Sequence, residues 1–156
     1  MALSDTASVP VTDERKLAAR LFNDTWALLQ KEGRTIEEDD RMIHMAHASR
    51  FHWDNVGDDQ NRATGEWQVA RVYSVLGRGE PALFHARRCL EYASRPGADD
   101  WLTASAYEGL ARAQAISGDP GAARDSRDTA LRLLERIADP QDRKVVEGDI
   151  DTLPIP

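Results

Sequence analysis

Apolar positions recur every three or four residues along most of this chain, which is the period of helices buried along one face. Leu17, Leu21, Leu28 and Leu29, with Ala18 and Phe22 beside them, predict a first helix over about Asp13 to Lys31. Thr12 is its expected N-cap, and Gly33 is expected to close it in the left-handed conformation. Thr35 followed by Glu38 has the spacing of a capping box and opens a second helix, with Met42, Met45, Ala46, Ser49 and Trp53 on one side and an end near Gly57. Ala63, Trp67, Ala70 and Tyr73 mark a third helix ending at Gly77. A fourth starts at Pro81 and offers Ala82, Leu83, Ala86, Cys89, Leu90 and Ala93 to the core.

Arg95-Pro96-Gly97 breaks the chain, and Asp99 or Asp100 is placed to cap a fifth helix. Gly118-Asp119-Pro120 then combines a C-terminal glycine, an N-cap and a first-turn proline, the strongest helix boundary in the sequence. The sixth helix carries Ala123, Ser126, Ala130, Leu133, Leu134 and Ile137, and Asp139-Pro140 starts a short seventh. No window alternates with period two, so no strand is predicted. The expected organisation is a mobile tail over 1–11, one helical domain over 12–152 and a C-terminal tail over 153–156.

A second, longer period overlies the helical one. A shift of 41 residues brings Ala70 onto Ala111, Arg71 onto Arg112, Gly77 onto Gly118, Ala82 onto Ala123 and Leu90 onto Leu131. Val75 meets Ile116 and Cys89 meets Ala130, so apolar and small slots are kept in kind. A repeat of this length predicts stacked helical hairpins, none of which buries its apolar face without a neighbour.

Val69, Ala70, Tyr73, Gly77, Ala82, Cys89 and Leu90, matched again by Leu110, Ala111, Gly118, Ala123, Ala130 and Leu131, resemble the tetratricopeptide pattern. That resemblance implies an all-α, right-handed stack of antiparallel hairpins, about seven helices in all, whose first helices line a groove. Gln114 departs from the pattern where an aromatic is expected, the unit is longer than the family's, and the closing proline is displaced. In the first hairpin only Gly33, Met45 and Ala46 align. The run from His52 to Leu90 also resembles a group of uncharacterised bacterial proteins, which implies no activity.

Composition narrows the function. The 156 residues carry a formal charge of −7, distributed along the chain. That balance argues against sequence-independent nucleic-acid binding and against docking on anionic lipid. The single cysteine, Cys89, rules out an internal disulfide, and the opening residues lack the basic and apolar regions of a signal peptide. No run is apolar for long enough to span a bilayer. A cytoplasmic location is expected.

The candidate ligand surface follows from the repeat. If the third and fifth helices occupy equivalent places, Trp67, Arg71 and Ser74 face the groove beside Glu108, Arg112 and Ala115, with Asn23 as a further member. Two arginines side by side form a forked donor pair suited to an acidic group on a peptide or protein, and Trp67 is an anchor of the kind that dominates interfaces. The alternative is that both arginines pair with nearby acids and hold hairpins together. The expected function is a protein- or peptide-binding or scaffold module, with no nucleic-acid or membrane partner.

A competing reading centres on histidine. His44 and His47 lie one turn apart, roughly opposite the core stripe of the second helix, and with His85, Asp54 or Glu66 they offer the donors of a metal site or small helical enzyme. Packing against the fourth helix explains the same placement, no HExxH spacing is present, and no metal or cofactor is expected. Cys89 falls on a core stripe, which disfavours a nucleophile, and no Ser, His and Asp set is specific enough to name catalytic residues. A homodimer through exposed apolar residues such as Phe51 or the Leu153-Pro154-Ile155-Pro156 segment is a third alternative. Gly65, inside the third helix where the next repeat has Ala106, predicts a close approach by a neighbouring helix.

Overall fold

Local turn chemistry sets the element boundaries. The computed structural model describes residues 10–156, and its order is α1 (Val11–Leu29), α2 (Ile36–Val56), α3 (Asp59–Val75), α4 (Gly79–Ala93), α5 (Asp100–Ile116), α6 (Pro120–Leu134) and α7 (Pro140–Asp151). The protein is all-α, with no strand among the described residues.

The capping box forms: Glu38 N donates to Thr35 Oγ1 at 3.2 Å and Thr35 N to Glu38 Oε2 at 3.0 Å. Asp119 accepts from Ala122 N, and Asp139 from Gln141 N and Asp142 N, so both Asp-Pro pairs act as N-cap and first helical residue. The ends of α3 and α5 repeat one device. Gly77 (φ 70°) lets Arg78 N reach Tyr73 O at 2.8 Å, and Gly118 (φ 84°) lets Asp119 N reach Gln114 O at 3.0 Å.

Three boundaries differ from expectation. Helix α1 begins at Val11, because the carbonyl of extended Pro10 accepts from Asp13 N and Glu14 N at 3.0 and 2.9 Å; Thr12 therefore lies within the first turn. Of the expected 1–11 tail, residues 1–9 lie outside the described residues, and Pro10 and Val11 belong to this helix start. Gly33 is left-handed (φ 65°), but it sits in the turn beyond Leu29 and not at the helix cap. Helix α4 begins at Gly79, which places Pro81 third in the first turn, where its missing N–H still costs no helical bond.

Successive helices α1–α2, α3–α4 and α5–α6 pack most extensively, and each new hairpin rests on the one before it through α2–α3 and α4–α5. The first helices also touch in series, α1–α3, α3–α5 and α5–α7, whereas among the described residues the backbones of α2 and α4, and of α4 and α6, stay apart. Alanines make these approaches short: Ala63, Ala70, Ala82, Ala86, Ala104, Ala106, Ala111, Ala113, Ala123 and Ala130 are all buried.

Two glycines in helix interiors mark close approaches by a neighbouring side chain. A Cβ on Gly65 would fall 2.8 Å from Arg50 Cδ, and one on Gly109 would fall 3.1 Å from Trp67 Cδ1. Gly65 thus admits α2, as its position predicts, and what it admits is the stem of a buried arginine. At the C-terminal end, Leu153 packs against the Ala104, Ala130, Ile137, Val146 and Ile150 cluster, so the segment expected as a tail starts with a core contact. No helix among the described residues is long and apolar enough to cross a membrane.

Candidate functional site

Trp67 and Arg71 project from α3 one turn apart, and Glu108 and Arg112 do the same from α5. The α3–α5 contact brings all four together around one carboxylate. Glu108 is fully buried. Its Oε2 accepts from Trp67 Nε1 at 3.1 Å, and its Oε1 accepts from Arg71 Nη1 at 3.0 Å and from Arg112 Nε and Nη2 at 2.8 and 2.6 Å. Such charge-assisted bonds are what a buried carboxylate requires, since removing it from water without partners would be prohibitive.

Helix α7 completes the network. Arg71 Nη2 donates to Asp149 Oδ1 at 3.1 Å, while Arg112 donates to Asp149 O at 2.9 Å, to Thr152 Oγ1 at 2.9 Å and to Thr152 O at 3.2 Å. The formal charges of Arg71, Arg112, Glu108 and Asp149 cancel. Burial presses the Arg112 guanidinium toward its neutral form, as does Arg71, against the pull of Glu108 and Asp149. Burial also raises the Asp149 carboxyl, helped by Glu108 and opposed by Arg71 and Arg112. Both guanidiniums are therefore engaged within the protein, the geometry of struts between α3, α5 and α7. Of the other residues placed on this surface, Ser74 is buried with an unpartnered Oγ.

Beside this network lies a cavity of about 190 Å³. Its walls include Trp67, Trp101, Leu102, Val145, Val146 and Asp149, from α3, α5 and α7. Trp67 is held in place from three sides: its ring centroid is 5.7 Å from that of Trp26, Arg71 Cζ lies 5.6 Å above the ring, and Gly109 backs it. The volume suits one side chain or a small molecule of similar size, below the range of drug-sized sites. Cys89 also borders the cavity; burial pushes its thiol far up, which keeps it an unreactive SH.

A second cluster fills the gap between α2 and α4. His47 Nε2 lies 2.9 Å from Tyr73 Oη, and the His47 and His85 ring centroids are 5.2 Å apart. His85 Nδ1 lies 2.6 Å from Glu66 Oε2, while Arg50 donates through Nε to Glu66 Oε1 at 2.9 Å and through Nη1 to Asp54 Oδ1 at 2.6 Å. Burial raises the Glu66 carboxyl, but the bonds and charges of His85 and Arg50 together outweigh it and leave it below the usual range. Burial, and then His85, lower His47.

His44 is exposed, and among the described residues no three histidine, cysteine or acidic side chains converge as metal ligands. His47 meets α3 and α4, the packing alternative for the second face of α2. His52 turns the other way, its Nδ1 2.9 Å from Glu14 Oε1 on α1. Phe51 and Phe84 stay exposed, Phe51 with its ring centroid 5.6 Å from that of His52 and Phe84 with its own 5.1 Å from that of His85.

The sequence reading missed Asp149, Thr152 and Trp101. Asp149 lies in the terminal helix and Thr152 at its C-terminal cap, outside the repeat, where no counterpart signals their contacts. Trp101 carries a usable signal, a large aromatic in the first turn of a helix otherwise rich in alanine. Compared with known proteins, the chain matches no family model, no curated protein and no solved structure.

Proposed function

We propose that this chain is a binding or scaffold module of helical-repeat type, and that the cavity between α3, α5 and α7 receives one anchoring side chain of a protein or peptide partner. The observation that carries the reading is a side-chain-sized, tryptophan-walled cavity set against a rigid charge network. Trp67 is fixed by its bond to Glu108, so a ligand would meet a wall already ordered, with little side-chain entropy left to lose. The contacts in series along α1, α3, α5 and α7 support a tetratricopeptide-like stack, with the cavity on its first-helix side.

This reading moves the ligand surface from the guanidiniums to the cavity beside them. Arg71 and Arg112 shape the wall and have no charge to spare for an acidic partner, because Glu108 and Asp149 neutralise them. A random peptide display library panned against the native protein provides the test. Binders are expected whose capture is lost in Val145→Asp, a substitution at an exposed position of the cavity wall, while the melting temperature of that variant stays within a few degrees. Failure to enrich any cavity-dependent peptide would overturn the reading.

A further inference from the structure

The polar groups around the cavity have a consistent sign. Asp142 and Asp149 both border it, Thr64 and Ser105 add hydroxyls, and among the described residues no lysine, arginine or histidine lines it. Asp149 gives one carboxylate oxygen to Arg71, and no donor among the described residues engages the other. Asp142 is exposed, and its carboxylate makes no hydrogen bond or ion pair there. Trp67 and Trp101 both line it, and indole is the side-chain ring that attracts cations most strongly. The strut network behind the wall is neutral, so the Asp142 charge is left uncompensated.

We infer that the cavity selects an organic ammonium carried on an apolar stem, in the proposed setting the side chain of a partner's lysine. The stem would lie along Leu102, Val145 and Val146, and the head would meet the two carboxylates. A volume of about 190 Å³ accommodates such a side chain. Burial and Glu108 both oppose a charge on Asp149, and an ammonium beside it would relieve that opposition. An acidic stem would instead set a second carboxylate against the uncompensated Asp142.

The inference rests on the proposed function for the ligand's being part of a peptide, and on the cavity alone for its charge. The two are separable by experiment. Three probes of similar length, Nα-acetyl-lysine methylamide, Nα-acetyl-norleucine methylamide and Nα-acetyl-glutamate methylamide, are titrated into the native protein while the tryptophan indole N–H resonances are followed. The lysine probe should bind at least threefold tighter than the norleucine probe, and the glutamate probe most weakly. The preference should shrink with added salt, as a screened attraction does.

Asp142→Asn should reduce the lysine preference and leave the norleucine affinity unchanged; because Asp142 is exposed and unbonded, this variant should fold normally. Free phenethylamine is a further arm: binding as strong as that of the lysine probe would place the selectivity in the amine itself. Norleucine or glutamate binding as tightly as lysine overturns the inference, even where the display library yields cavity-dependent peptides and the proposed function stands. Absence of binding by every probe also overturns it. Lysine selectivity with no enriched peptide would instead retain the inference and remove the peptide-binding reading.

Discussion

Trp67 and Glu108 stand 41 residues apart, at the same place in successive repeats, and hydrogen-bond to each other at 3.1 Å. Each helical unit supplies one half of the contact, so the repeat is used asymmetrically: an indole donor in one hairpin and a carboxylate acceptor in the next. The carboxylate then gathers Arg71 from the indole's helix and Arg112 from its own. A single buried charge thereby couples α3, α5 and, through Asp149, α7.

The first prediction concerns that charge. Glu108→Gln keeps the shape and removes the compensation of two guanidiniums, one of them buried. Breaking a buried pair from one side costs about 3–5 kcal/mol, and urea unfolding should show a loss of this order. Arg112→Ala should be more damaging than Arg71→Ala, because Arg71 is the more exposed and gives Glu108 one hydrogen bond, whereas Arg112 gives it two and also bonds Asp149 O and Thr152. Loss of less than about 1 kcal/mol in Glu108→Gln would show that water supplies the missing compensation.

The second tests the packing of α6 on α5. Ala123 is fully buried, and its counterpart Ala82 is equally so one repeat earlier. Ala123→Leu adds three carbons where two helices touch and should cost about 1–3 kcal/mol. The neighbouring Arg124 is exposed, and Arg124→Ala should change the unfolding midpoint little. Equal effects at the two positions would place the α6 register elsewhere.

Local signals were legible where the backbone needs a particular residue. Gly77 and Gly118 hold positive φ, and Thr35 with Glu38 forms the box their spacing implies. The repeat likewise brings Trp67, Arg71, Glu108 and Arg112 to one place, because equivalent positions on contacting helices must be neighbours. Which charge neutralises which was not legible. Arg71 meets Asp149 across 78 residues, and α7 has no repeat partner from which that contact could be inferred. Arg50 reads as a surface residue by hydropathy, yet it is buried against Gly65, and the glycine records the approach without naming what approaches. The start of α1 was misplaced because Thr12 is the better capping side chain, while the chain uses only the carbonyl of Pro10.

A third prediction follows from an unpaired hydroxyl. Ser74 Oγ is buried and has no hydrogen-bond partner, and the equivalent position in the next repeat is Ala115. A buried hydroxyl without a partner destabilises by about 1–3 kcal/mol, so Ser74→Ala should leave stability unchanged or raise it. A clear drop in the urea midpoint would reveal a bridging water serving Oγ.

The last prediction concerns pH and the second cluster. His47 faces Tyr73 and Glu66 on α3, His85 on α4 and His44 on its own helix. Burial and the proximity of His85 lower its pKa below the ordinary 6.5, against the opposing pull of Glu66. The unfolded chain then binds a proton at this site more readily than the folded one. Stability from this group is complete above about pH 6.5 and declines as pH falls toward the depressed folded value. Glu66, whose folded pKa is also lowered, adds a second loss at lower pH, below its ordinary 4.5. Thermal melts between pH 7.5 and 5.5 should therefore show the melting temperature falling with pH, and the fall should be smaller in His47→Gln. A His47 ring whose nuclear magnetic resonance titration centres above 6.5 would show that a proton stabilises the His47–His85 contact, and an identical pH slope in the variant would place the dependence at another group.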